Sequence, residues 1–157
     1  MQYSNILKNR VIKFVNQYGE SIKNAIKGSG LYFETVVAQK CLESAYGETT
    51  QAKKLNNFGG IVYTSRFPSD ITKVSWSMYA KFPNPERCFQ YYVANMKSPD
   101  KPYTKMGVFT ATSPEEQLLR INKAGYCADP DPYTYSKIAN PIIAAVRDLY
   151  KVGKVSA

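Results

Sequence analysis

Histidine is absent from all 157 residues. That excludes Ser-His-Asp and Cys-His nucleophilic machinery and the His-ligated zinc hydrolases. Cysteine is scarce, and the three present, Cys41, Cys88 and Cys127, cannot all pair within the chain. No two of them stand at metal-ligand spacing, so no metal is expected, nor any other cofactor. Apolar or aromatic neighbours surround them, and Cys41 and Cys88 are expected to be buried free thiols. Long hydrophobic runs are missing too. None approaches the roughly 18 residues of a membrane span, and no membrane partner is expected. There is no internal repeat and no long low-complexity tract. The N-terminal stretch MQYSNILKNRVIKFVNQYG is amphipathic and carries Lys8, Arg10 and Lys13. It lacks the apolar core and small-residue cleavage site of a secretory signal.

What is present describes a folded chain. Hydrophobic residues make up 44% and charged residues 21%, a globular balance. The length suits one domain over residues 1–157, acting as a monomer. The formal charge of +9 favours polyanions, from nucleic acid to anionic wall polymers. Yet the cations are scattered, with Lys53-Lys54 the only adjacent basic pair. That spread argues against a dedicated nucleic-acid arm, and no nucleic-acid partner is expected.

Periodicity predicts about six helices and one small β element. Ile6, Leu7, Val11, Phe14, Val15 and Tyr18 recur at helical spacing. Gly19 is expected to interrupt this helix before a short second one capped by Ser21. A further helix is predicted from about Tyr32 to Ser44, with Val37, Ala38, Cys41, Leu42 and Ala45 as its apolar stripe. Gly47 is placed to terminate it. A polar loop then leads to Asn56, Asn57, Phe58 and Gly59. Between Ile61 and Phe82 apolar residues alternate with small or polar ones, predicting a β-hairpin with Pro68-Ser69-Asp70 between its strands. Helices resume at Asn84-Pro85 and at Ser113-Pro114-Glu115-Glu116, the latter a capping box. The last helix starts near Asp131-Pro132, and Pro141 inside it predicts a kink or a restart.

Without histidine, a hydrolase of this kind turns to carboxylates. Glu43 stands at the C-terminal end of its helix, beside the apolar stripe and on a face with Val36, Gln39 and Lys40. The negative field of the helix end and partial burial both favour the protonated carboxyl. Such an acid can donate to a leaving-group oxygen. Read by itself, a glutamate at a helix end is more commonly an ordinary surface residue.

The residues around Glu43 say more than its spacing does. The segment AQKCLESAYGETTQAKKLNNFGGI, residues 38–61, resembles the core motif of the peptidoglycan glucosaminidases, glycoside hydrolase family 73. The family pattern is roughly A-Q-x-x-x-E-S-x-x-G, a polar loop, then N-x-F-G-I. Ala38, Gln39, Glu43, Ser44 and Gly47 match its first part. Asn56, Asn57, Phe58, Gly59 and, after one extra Gly, Ile61 match its second. YAKFPNPERCFQYY, residues 79–92, is loosely similar to F-R-x-Y-P-S-x-x-x-S, with Ala80 in place of the Arg. GYCADPDPYTYSKI, residues 125–138, is similar to G-Y-A-T-D-P-x-Y-A-x-K-I with an insertion.

The resemblance implies a mainly α (α+β) lysozyme-like fold: a helical body and a small β-hairpin lobe flanking a substrate groove. It implies an endo-β-N-acetylglucosaminidase acting on peptidoglycan glycan strands at the bacterial cell wall, in the periplasm or outside the cell. It maps Glu43 onto the general acid and Tyr126 onto a cleft tyrosine needed for activity. Alternatives are a lytic transglycosylase on the same fold and an inactive wall-binding module. A second carboxylate is harder to place. Asp70, at the expected hairpin tip, is one candidate, although Asp is also a common turn residue. Glu48 is another, and the substrate's own acetamido group is a third. Asn57 and Phe58 are expected at the cleft floor, with Phe58 also readable as core. Tyr63 and Trp76 could stack on sugar rings, or Trp76 could fill the β-lobe core.

Overall fold

The computed structural model describes residues 3–126 and 131–157. Cys127 and the 127–130 part of the last motif lie outside the described residues. Six α-helices and one antiparallel strand pair are described: α1 (Asn5–Ile26), α2 (Phe33–Glu43), α3 (Thr50–Leu55), β1 (Thr72–Val74), β2 (Ser77–Lys81), α4 (Pro85–Lys97), α5 (Pro114–Lys123) and α6 (Pro132–Tyr150).

Local signals explain most boundaries. Asn84 caps α4 by accepting a hydrogen bond from the Arg87 N–H, with Pro85 at the first helical position. Ser113 Oγ likewise accepts from the Glu116 N–H at 3.1 Å. Glu116 reaches back to the N–H of Thr112 at 2.8 Å, one residue earlier than an ordinary capping box.

Three expectations fail for physical reasons, and one of the two alternatives at Pro141 is set aside. The first helix runs unbroken through Gly19. This glycine is buried at a helix contact, where an added Cβ would sit 2.9 Å from Val15 Cγ1 and 3.7 Å from Phe33 Cζ. The polar loop after Glu43 contains a helix, α3, capped by the Thr49 side chain and anchored by buried Ala52 and Leu55. The hairpin turns at Ser75-Trp76, not at 68–70, with Val74 paired to Ser77. The stretch around Val62 does join the lobe, bridging to Tyr79 on the other side of β2. Finally, α6 continues past Pro141 without a restart.

The helices surround one cluster of buried apolar residues. α2 packs against α1, α5 and α6, and α1 lies along α4. Phe14, Tyr18, Phe58 and Phe89 form an aromatic knot in this cluster, with ring centroids 4.7–6.4 Å apart. No helix among the described residues is long and apolar enough to cross a membrane.

Candidate active site

Helix α2 ends at Glu43, and the chain leaves it through an unusual turn. Ala45, Tyr46 and Gly47 all adopt positive φ, 47°, 58° and 81°. Two of the three are not glycine, so the turn holds backbone strain that its surroundings must enforce. Ser44 does much of that work: its hydroxyl donates to the Lys40 carbonyl at 2.5 Å and accepts from the Gly47 N–H at 2.9 Å. At Gly47 a Cβ would lie 2.9 Å from the Tyr18 ring, so only glycine suits both the conformation and the space.

The loop after α3 closes on Glu43 from the other side. Asn57 is buried, and its side chain is fully occupied by backbone. Its Nδ2 donates to the carbonyls of Ile61 at 2.9 Å and Ala80 at 2.8 Å. Its Oδ1 accepts from the N–H groups of Ile61 at 3.0 Å and Gly59 at 3.3 Å. The loop is thereby tied to β2. Phe58, 0% exposed, points into the aromatic knot and roots the loop in the core. These bonds press Gly59 so close to the acid that an added Cβ would sit 3.3 Å from Glu43 Oε2.

A cavity of about 440 Å³ opens here, lined by Glu43, Gly59, Ile61, Asn95, Tyr103, Tyr126 and Tyr135. Among the described residues lining it, Glu43 is the only acidic one. Its side chain is 16% exposed, and Oε2 accepts from the Lys40 ammonium at 3.0 Å. Oε1 is buried and has no hydrogen-bond partner among the described residues. Tyr126 lies edge-on to Tyr92 and Tyr103, at centroid distances of 6.2 and 6.3 Å. Burial, and next the nearby Glu43 charge, pushes the phenols of Tyr92, Tyr103 and Tyr126 up from their ordinary range. They are therefore neutral hydroxyls at neutral pH, able to donate hydrogen bonds as well as accept them.

The structure thus brings Glu43 and Tyr126 to one cavity and places the other predicted site residues elsewhere. Asp70 lies in the turn before β1, paired with Arg87 at 2.6 Å, and is not among the lining residues. That guanidinium holds the Asp70 carboxyl below the usual carboxylate range. Glu48 pairs with Lys53 at 2.7 Å and Lys13 at 3.5 Å. Asn57 and Phe58 support the cavity wall from behind and present neither amide nor ring to a substrate. Tyr63 packs on Phe67 at 5.6 Å. Trp76, 58% exposed at the hairpin turn, is not core.

Sequence reasoning missed Lys40 as the partner of Glu43, and Asn95, Tyr103 and Tyr135 as cavity residues. Lys40 carried a usable signal, since it stands three residues before Glu43 on the same helix face. The other three come from distant segments and carried none.

A helical body, a small β-lobe and one acid facing an aromatic cavity define a glycosidase-like protein. The glucosaminidase family, described as mannosyl-glycoprotein endo-β-N-acetylglucosaminidase, matches residues 19–148. The chain belongs to this family of glycoside hydrolases. Its fold is shared with the glycoside hydrolase domain of FlgJ from Salmonella typhimurium, at 19% identity and a TM-score of 0.69 over 90% of this chain and 91% of that one. The catalytic domain of the autolysin Auto from Listeria monocytogenes is similar at 20% identity and a TM-score of 0.67, covering 92% and 87%. A peptidoglycan hydrolase from Sphingomonas sp. A1 is 23% identical with a TM-score of 0.62, covering 83% and 86%. No curated protein matches the chain in sequence.

Proposed function

We propose that this chain cleaves peptidoglycan glycan at the β-1,4 bond on the reducing side of N-acetylglucosamine, with Glu43 as the general acid. The observation that carries this reading is Glu43 itself: a partly buried acid at a tyrosine-lined cavity, in a chain of the glucosaminidase family. The family description names a glycoprotein substrate, whereas the structural relatives include an autolysin and a peptidoglycan hydrolase. The N-acetylglucosaminyl bond is common to both substrates. The relatives favour the wall polymer, and the net charge of +9 suits its anionic surroundings.

The reaction follows from the groups at the cavity. Glu43, the one acid lining the cavity among the described residues, gives its proton to the glycosidic oxygen as the bond to C1 breaks. Neutral phenols of Tyr103 and Tyr126 border the space and can hold sugar hydroxyls or the acetamido group. No second carboxylate lines the cavity among the described residues. In this reading the acetamido carbonyl oxygen serves as the nucleophile. It closes on C1 to form an oxazolinium ion, which water then opens while Glu43 takes the water's proton back.

Clearing of purified cell walls tests the assignment. Wild type is expected to clear them, and Glu43→Gln to lose at least about a thousandfold in rate. Activity surviving the substitution would sink the role of Glu43. Mass spectrometry of the products should find reducing N-acetylglucosamine ends. An anhydro-muramic end would instead identify a lytic transglycosylase, and a reducing N-acetylmuramic end would reject the bond specificity.

A further inference from the structure

Lys40 has no task in the reaction outlined above, yet its placement is costly. Its side chain is 1% exposed. Three groups surround the ammonium: Glu43 Oε2 at 3.0 Å, the Tyr126 hydroxyl at 3.5 Å and the Tyr92 ring, whose centroid is 3.8 Å away. Tyr92 is itself fixed, donating its hydroxyl to Gln39 Oε1. Burying an ammonium removes its hydration, and a buried ion pair commonly stabilises a fold no better than apolar groups of the same shape. Stability alone does not call for a lysine here. Nor does Lys40 line the cavity, so it does not touch substrate.

We propose that Lys40 is a positioning residue that holds the Glu43 carboxyl at the cavity and stabilises the carboxylate that forms as the proton departs. This rests on the reading of Glu43 as the acid. The proton passes from Glu43 to the leaving oxygen, and the electron pair of the O–H bond stays on the carboxylate. The new negative charge appears beside the Lys40 ammonium, where the charge-assisted bond strengthens during the step. Lys40 therefore acts on the chemical step and not on substrate binding.

Among the described residues, the titratable groups facing Glu43 are Lys40 on its own helix, Cys88 and Tyr92 on α4, Tyr103 after α4, Tyr126 after α5 and Tyr135 on α6. Of these, Lys40 is the one basic side chain.

The test compares kcat and KM for wild type, Lys40→Met and Lys40→Gln on soluble glycan oligomers, beside urea unfolding of each. Lys40→Met should keep KM within about threefold while kcat falls about ten- to hundredfold. Lys40→Gln keeps an N–H donor without the charge. It should recover part of kcat, and it carries the test if the Met variant folds poorly. A lysine that only supports packing would lower kcat only as far as it lowers the folded fraction. An unchanged kcat, or a loss that tracks the unfolded fraction, overturns the proposal. Glu43→Gln is run alongside: if it stays active, the acid assignment has failed, and if it is inactive while Lys40→Met keeps the wild-type kcat, the role of Lys40 alone has failed.

Discussion

Replacing Asn57 by alanine should cost stability first and turnover second, with little effect on substrate affinity. Four backbone groups lean on the Asn57 amide, but they lose unequally. The Ile61 carbonyl keeps a second donor, the Ala80 N–H at 2.8 Å. Gly59 is half-buried and its bond is long at 3.3 Å, so water replaces it cheaply. The Ala80 carbonyl and the Ile61 N–H remain as the real losses. At about 1–3 kcal/mol for each unsatisfied buried group, the expected destabilisation is about 3 kcal/mol. Urea unfolding followed by far-UV circular dichroism measures it; the fluorescence of Trp76 is a poor probe, because that ring is already exposed. At a temperature where the variant is fully folded, kcat should still fall, since Gly59 is no longer held against Glu43. Asn57→Asp sharpens the expectation. Its carboxylate would face two carbonyl oxygens, so its protonation is favoured in the folded state. The variant should be least stable at neutral pH and recover as pH falls. A raised KM with stability unchanged would refute this reasoning and return Asn57 to the substrate.

Two further outcomes are expected. Asp70→Asn removes one partner of an exposed ion pair and should leave wall clearing within about threefold of wild type; a loss of a hundredfold or more would make Asp70 part of the chemistry. Burial pushes the Cys88 thiol up to about 11 and Cys41 further. Neither should react with a disulfide reagent in the native protein at pH 8, as peptide mapping after labelling would show. Above the ordinary thiol range, near 9, the unfolded chain releases a proton that the native state retains, so stability falls as pH rises towards 11. Cys88→Ser should flatten that slope, and an unaltered slope would contradict the burial argument.

Legibility in the sequence followed the range of the forces involved. The caps at Asn84 and Ser113 act within three residues, and both could be read directly. Gly19 misled because its role is set by Phe33, across a helix contact that propensity does not contain. Trp76 and Met78 continued an alternating pattern across what is in fact a turn, so the hairpin tip was displaced to Asp70. Helix α3 was hidden by its polar surface, although Thr49 with Ala52 and Leu55 is a cap followed by a buried pair. At the site, Glu43 and Tyr126 were found through resemblance, not periodicity. Lys40 was placed on the right face, but its burial depends on Tyr92 and Tyr126, which arrive from segments far along the chain. Phe58 was readable as cleft floor or as core, and it is core; Asn57, expected at the cleft floor, spends its amide on backbone groups.

The anchoring of Phe58 has a thermal consequence. In many enzymes the active-site loop melts before the body, and activity fades below the unfolding temperature. Here the residue next to Gly59 is one of the four rings of the central aromatic knot. The loop cannot let go of Glu43 without opening the core. Activity and fold therefore belong to one cooperative unit, and the protein should work at full rate almost until it unfolds, then stop.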